Sequence, residues 1–135
     1  MRIISLCMPR QAGFHRMQAY SLAREFHGVV VDQCARRDWR EAHLLDQLLR
    51  ASSSICLNIA EGAGEFSSNE KVRFYRMARR SVWECEAAID LLTIRRLRDR
   101  SALERAVPTL ESIAALLTTM IVRRAPSAST NDTLR

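Results

Sequence analysis

Residues 47–64, QLLRASSSICLNIAEGAG, place two chemically different faces on one helical repeat. At helical spacing Leu44, Leu48, Ala51, Ile55 and Ile59 fall on a single apolar stripe, widened by Leu45, Leu49, Cys56 and Ala60. Gln47, Arg50, Ser54, Asn58 and Glu61 form a narrow polar strip beside it. A solvated helix face normally carries Lys and Glu, whereas short amides and hydroxyls point to groups hydrogen-bonded against a partner helix, of the same subunit or another.

The pattern extends in both directions. Upstream, Ala19, Leu22, Ala23, Phe26, Val29 and Val30 recur at helical spacing and predict a first helix over 14–37, although the run Val29, Val30, Val31 leaves a local strand open. The second helix is expected over 42–62, with Asp38 as the N-cap in the connection before it and Gly62 and Gly64 as the C-terminal stop. Ser67 and Glu70 form the S-x-x-E capping box of a third helix over 68–97, whose core stripe is Phe74, Tyr75, Ala78, Val82, Cys85, Ile89 and Leu92. The last helix, 101–124, carries Leu103, Val107, Leu110, Ile113, Ala114, Leu117 and Ile121. Pro108 predicts either a kink there or a short helix followed by a fresh start. Residues 1–13 read as a loosely ordered lead-in and 125–135 as a disordered tail.

Four helices with short links and no strand signal predict an all-α, antiparallel up-down-up-down four-helix bundle. A chain of 135 residues, 47% of them hydrophobic, suffices for one domain with a real core. No run approaches the roughly 20 apolar residues that span a bilayer, and the apolar start MRIISLCM is too brief for a secretory signal, so a cytoplasmic protein without membrane contact is expected. Cys7, Cys34, Cys56 and Cys85 form no C-x-x-C pair and do not combine with His15, His27 and His43 at zinc-ligand spacing. They read as small buried hydrophobes, with no metal and no cofactor implied.

The net charge of +6 is uneven: eight basic residues face seven acidic ones over 1–65, twelve face seven over 66–124, and the tail has one of each. The positive potential therefore belongs to the second half of the chain. All basic residues but Lys71 are arginine, a preference that a GC-rich genome explains as readily as function does.

The run Ser54, Ile55, Asn58, Ile59, Ala60, Glu61, Gly62, with Phe74, Ala78, Ser81 and Glu84 in the next helix, resembles the signature of the four-helix-bundle proteins encoded in intervening sequences of bacterial 23S ribosomal RNA genes. Those proteins are related to the accessory proteins of diversity-generating retroelements, and the similarity spans about 20–92. The resemblance implies the same bundle, assembly into a homopentameric ring, and an RNA or a nucleic-acid-handling protein as partner. It also implies that Asn58, Glu61, Ser81 and Glu84, with Gln47 and Ser54 on the same strip, form an interhelical polar network that sets helix register.

Three sets of residues could carry function. On the back of helix three, Arg73, Arg76 and Arg80 project within an arc of about 60 degrees, with Lys71 and Arg79 on its flanks, as a phosphate-tracking ridge or a solvated face. Arg95, Arg96, Arg98 and Arg100 form a second basic cluster, for which the helix C-terminal dipole is sufficient reason. Beyond Arg80 the back face turns apolar, with Trp83, Ala87, Leu91 and Ile94, so that helix is greasy on both sides and an oligomer contact follows. The alternative is that the lead-in or Trp39 covers that surface.

No Glu has His three positions later, and the dinucleotide, P-loop, zincin and nucleophile-elbow motifs are missing, so a non-enzymatic protein is expected over a carboxylate enzyme using Glu61 and Glu84. Aromatic residues make up 6% of the chain and are largely assigned to core positions, which predicts phosphate contacts rather than base stacking. The competing expectation is a protein-interaction scaffold with no nucleic-acid role.

Overall fold

The computed structural model describes residues 13–124; the expected lead-in, apart from Gly13, and the expected tail lie outside it. A short 3-10 turn, Gly13–Arg16, precedes helix α1, Gln18–Cys34. A second 3-10 turn, Trp39–Glu41, leads into α2, Ala42–Gly64, which is followed by α3, Ser68–Arg95, and α4, Ser101–Arg124. The valine run stays helical, because the flanking pattern buries Ala23, Phe26 and Val30 on one side and a strand would turn alternate residues away.

Each helix packs on its neighbours in sequence, and α1 closes the bundle against α4. The antiparallel course is visible in cross-connections at the two ends. Arg100, between α3 and α4, reaches Gln33 at the end of α1 and Glu41 before α2. At the opposite end the Lys71 ammonium in α3 donates to the carbonyls of Gly62 and Ala63 at the end of α2, at 3.0 and 3.1 Å.

The core is one cluster in which Phe26, Leu45, Leu48, Ile55, Ile59, Tyr75, Leu92, Leu103, Leu110, Ile113 and Leu117 are all but fully buried. Burial of each such side chain contributes roughly 1.5–3 kcal/mol, which is the main reason for association of the helices. Tyr75 and Cys85 occupy the expected stripe of α3, and burial pushes both the Tyr75 phenol and the Cys85 thiol above their ordinary pKa ranges. By length and composition α4 is apolar enough to cross a membrane, contrary to the reading of the sequence. Its inward stripe, from Leu103 to Ile121, supplies a quarter of this core.

Four expectations about helix ends need correction. Asp38 caps the 3-10 turn rather than α2, its carboxylate accepting from the Arg40 N–H at 2.9 Å. Gly62 does not stop α2; it lies inside the helix, buried, and its conformation is not left-handed. The reason for glycine there is proximity, since a Cβ at Gly62 would sit 2.6 Å from Tyr75 Cε1. Helix α3 ends at Arg95 rather than 97, with Arg96 in the left-handed region at φ 53°. Of the two alternatives at Pro108, the fresh start does not occur, since α4 runs through it as one helix. Pro108 is exposed, so the carbonyl one turn earlier that loses its hydrogen bond opens to water. The cap of α3 forms as expected, with Ser67 Oγ accepting from the Glu70 N–H, but the Glu70 carboxylate turns to Arg73 instead of completing the box.

Candidate functional site

The outward face of α3 divides into a charged half and an apolar half. In the first, Arg73, Arg76 and Arg80 are exposed along the helix. Arg73 shares its charge with Glu70 at 3.0 Å and lies over the Phe74 ring. Arg76 has neither a carboxylate nor a hydrogen-bond partner among the described residues, and Arg80 borders a small pocket described below. The flanking cations are engaged in the fold itself. Lys71 holds the C-terminal carbonyls of α2, where a cation also opposes the helix dipole. Arg79 donates to Thr118 Oγ1 on α4 at 3.2 Å and lies 5.4 Å from the Trp83 ring.

Between α2 and α3 lies a shallow pocket of about 200 Å³, lined by Ser54, Asn58, Met77, Arg80, Ser81 and Glu84. Its floor is a hydrogen-bonded chain: Ser81 Oγ meets Ser54 Oγ at 3.0 Å, and Asn58 Nδ2 donates to the same hydroxyl at 3.0 Å and to the Ser54 carbonyl at 2.9 Å. Three residues of the expected network thus come together, and Glu84 stands at the rim without a side-chain hydrogen bond among the described residues. Gln47 and Glu61 do not join it; both are exposed. The antiparallel register that sets Ser54 against Ser81 puts Gln47 level with Ala88 and Glu61 level with Phe74, neither of which offers a side-chain hydrogen-bond partner. Glu61 and Glu84 therefore do not face each other as an acid and base pair. Among the described residues no three of His, Cys, Asp and Glu gather as metal ligands.

In the second half of α3, Trp83, Leu91 and Ile94 are exposed, Ile94 at 73%, with Ala87 between them also open. Met77 on α3 and Leu57 on α2 are exposed too, the latter at 65%. Trp39 does not cover this surface, being itself 84% exposed; residues 1–12 lie outside the description.

The second basic cluster is largely structural. Arg100 is buried and ion-paired with Glu41, also buried, at 2.6 Å, and donates to the Gln33 side chain and to the carbonyls of Gln33 and Arg36. Arg98 lies 3.7 Å from Asp38, and Arg95 donates to the Arg40 carbonyl at 2.8 Å. Hydrogen bonds from the Arg40 guanidinium and N–H hold the Asp38 carboxyl well below the usual carboxylate range. Sequence reasoning missed the Glu41–Arg100 pair, because Glu41 sits in the charge-rich run RRDWRE and nothing local marks it as buried. The expectation that the aromatics are largely core residues also fails, for Trp39 and Phe66 are exposed, as is Trp83 on the outward face where the sequence reading placed it.

These features define a small all-helical bundle with one outward face that is part cationic and part apolar. The chain belongs to the 23S rRNA-intervening sequence protein family, whose model matches residues 15–119. Among solved structures, a protein of unknown function from the S23 ribosomal protein family of Bacteroides thetaiotaomicron has the same fold. The two align with a TM-score of 0.67 at 21% identity, over 77% of this chain and 95% of the other. No match to a curated protein was found.

Proposed function

We propose that this protein is a non-enzymatic homo-oligomer, a pentamer by analogy with the resemblance described above, that binds structured RNA through phosphate contacts. The observation that carries this reading is the divided face of α3: Arg73, Arg76 and Arg80 point outward from a helix whose next three turns expose Trp83, Ala87, Leu91 and Ile94. An apolar stripe of that length on a small domain is a surface for a partner, and copies of one chain meeting through it array their arginine ridges around a common axis. Guanidinium groups in a row along a helix suit the spacing of a phosphate backbone without selecting bases.

Salt dependence tests the nucleic-acid half. The triple variant R73A/R76A/R80A lowers the slope of log affinity for duplex RNA against log salt by about 2 to 3, at 0.7 to 0.9 per phosphate contact. An unchanged slope removes the ridge from RNA binding. Light scattering gives the subunit number, and a monodisperse monomer at micromolar concentration overturns the oligomeric half.

A second reading is a protein-interaction scaffold without a nucleic-acid role. It is favoured by the engagement of Lys71 and Arg79 within the fold, which leaves a ridge of three arginines rather than five cations. Purification at low salt without co-purifying nucleic acid supports the scaffold.

A further inference from the structure

At the end of the bundle opposite Lys71, the 3-10 turn Trp39–Glu41 holds an indole out in water. Trp39 is 84% exposed, although its turn is anchored on both sides. On one side Asp38 caps the turn and pins the Arg40 guanidinium at 2.7 and 3.0 Å. On the other, Glu41 is fully buried against Arg100, which also ties down the carbonyls of Gln33 and Arg36. The exposure of Trp39 therefore belongs to a rigid frame and not to a loose loop, and a large apolar ring held in water gives nothing to folding.

The charge around this turn is lopsided. Its carboxylates are largely engaged: Asp38 by Arg40 and Arg98, one oxygen of Glu41 by Arg100, Asp46 by Arg37, and Asp99 by the Ser101 N–H, with Glu104 in a pocket that Arg96 also lines. Arg36, Arg95 and Arg96 form no ion pair among the described residues, Arg36 acting on the Asp99 carboxylate only at longer range, and the side chains of Arg36 and Arg96 donate no hydrogen bond there either. Arg36, with Arg37, Arg98 and Asp99, lines a pocket of about 470 Å³ at the same end. An exposed aromatic ring at the same end of the bundle as guanidinium groups without ion pairs is the combination that unpaired nucleotides require, the ring stacking a base and the cations meeting its phosphates.

We propose that Trp39 is a stacking platform for an unpaired base of single-stranded RNA, with Arg36 and Arg96 contacting the adjoining phosphates. This site deepens the nucleic-acid reading given above but uses the opposite end of the bundle from the Arg73–Arg80 ridge. It adds a preference for single strands that a phosphate ridge alone does not have.

The chain has two tryptophans, so the emission of Trp39 is the difference between the unmodified protein and W39F, in which Trp83 alone reports. With the full chain, a short oligouridine quenches that difference emission, and heparin, which offers charge without bases, does not. W39A weakens oligouridine binding roughly 5- to 150-fold and leaves duplex RNA binding unchanged, while W39F, which keeps a ring, retains most of the affinity. R36A/R96A lowers the salt slope for oligouridine by about 1.4, at about 0.7 per single-strand phosphate. Circular dichroism checks that W39A folds, as expected for a side chain outside the core. Three results overturn the site: oligouridine binding without quenching, equal losses for single strands and duplex in W39A, or a Trp39 already shielded from acrylamide in the free protein, which means another segment or copy covers it. Duplex binding with an R73A/R76A/R80A-sensitive salt slope survives each of these, so failure of the stacking site and failure of the ridge are told apart.

Discussion

The Arg100 guanidinium lies 2.6 Å from the Glu41 carboxylate with both side chains buried, joining the α3–α4 connection to the turn before α2 across 59 residues of sequence. Among the described residues one oxygen of Glu41 and the Nε of Arg100 have no partner, so the pair depends on its single close contact and on the Gln33 side chain and the carbonyls that Arg100 also serves. Removing one partner leaves the other charged and desolvated. E41A and R100A should each cost about 3–5 kcal/mol in urea unfolding, and the double variant E41L/R100M much less than their sum. Single losses below about 1 kcal/mol refute the pair's structural role.

The contact between Gly62 and Tyr75 gives the second prediction. G62A drives a methyl group against the Tyr75 ring and should destabilise by about 1–3 kcal/mol. At Gly64 a Cβ meets nothing within 4 Å, so G64A should be neutral or stabilise by roughly 0.4–1 kcal/mol. Thermal unfolding of the two variants side by side decides it, since propensity alone favours alanine at both positions.

Acid should weaken the loop end first. The folded Asp38 carboxyl titrates below its unfolded value of about 3.9, so its contribution is fully present above that pH and is lost as the pH falls below it. D38N removes this component while keeping an oxygen that can accept from the Arg40 N–H. Urea midpoints compared at pH 7 and pH 3 should therefore fall less in D38N than in the unmodified protein. Equal falls exclude Asp38 as a contributor.

Two of the cysteines, Cys56 and Cys85, should be unreactive in the folded state. Burial pushes the Cys56 thiol up to about 11 and raises that of Cys85 further. Native protein treated with a thiol reagent at pH 8 should show both unmodified by mass spectrometry, and denatured protein should label at both. Rapid labelling of Cys85 without denaturant is incompatible with its place in the core.

Assembly supplies a fifth expectation. Charges placed on the exposed apolar half of α3, as in L91E/I94E, should convert the proposed oligomer to smaller species in sedimentation while helical content stays unchanged. An unaltered sedimentation coefficient moves the contact elsewhere.

Much of the fold was legible because it is written in local periods. The stripes from Leu44 to Ile59 and from Val82 to Leu92 repeat at the helical spacing, and Ser67 with Glu70 marks a helix start within four residues. The candidate site was legible only in part. Ser54, Asn58 and Ser81 meet as expected, but Gln47 and Glu61, on the same strip, find no polar residue opposite, and two of five cations on the ridge are engaged by other helices.

Periodicity and capping chemistry by themselves determined four helices, their order and the side of each that turns inward, since these follow from interactions within about one helical turn. Only the packed bundle decided that Glu41 and Arg100 are buried together, that glycine at 62 answers a tyrosine ring, and that Trp39 stands in solvent. Those outcomes depend on the register and spacing between helices, where residues far apart in the chain come within a few ångströms, and no repeat along the chain encodes that distance.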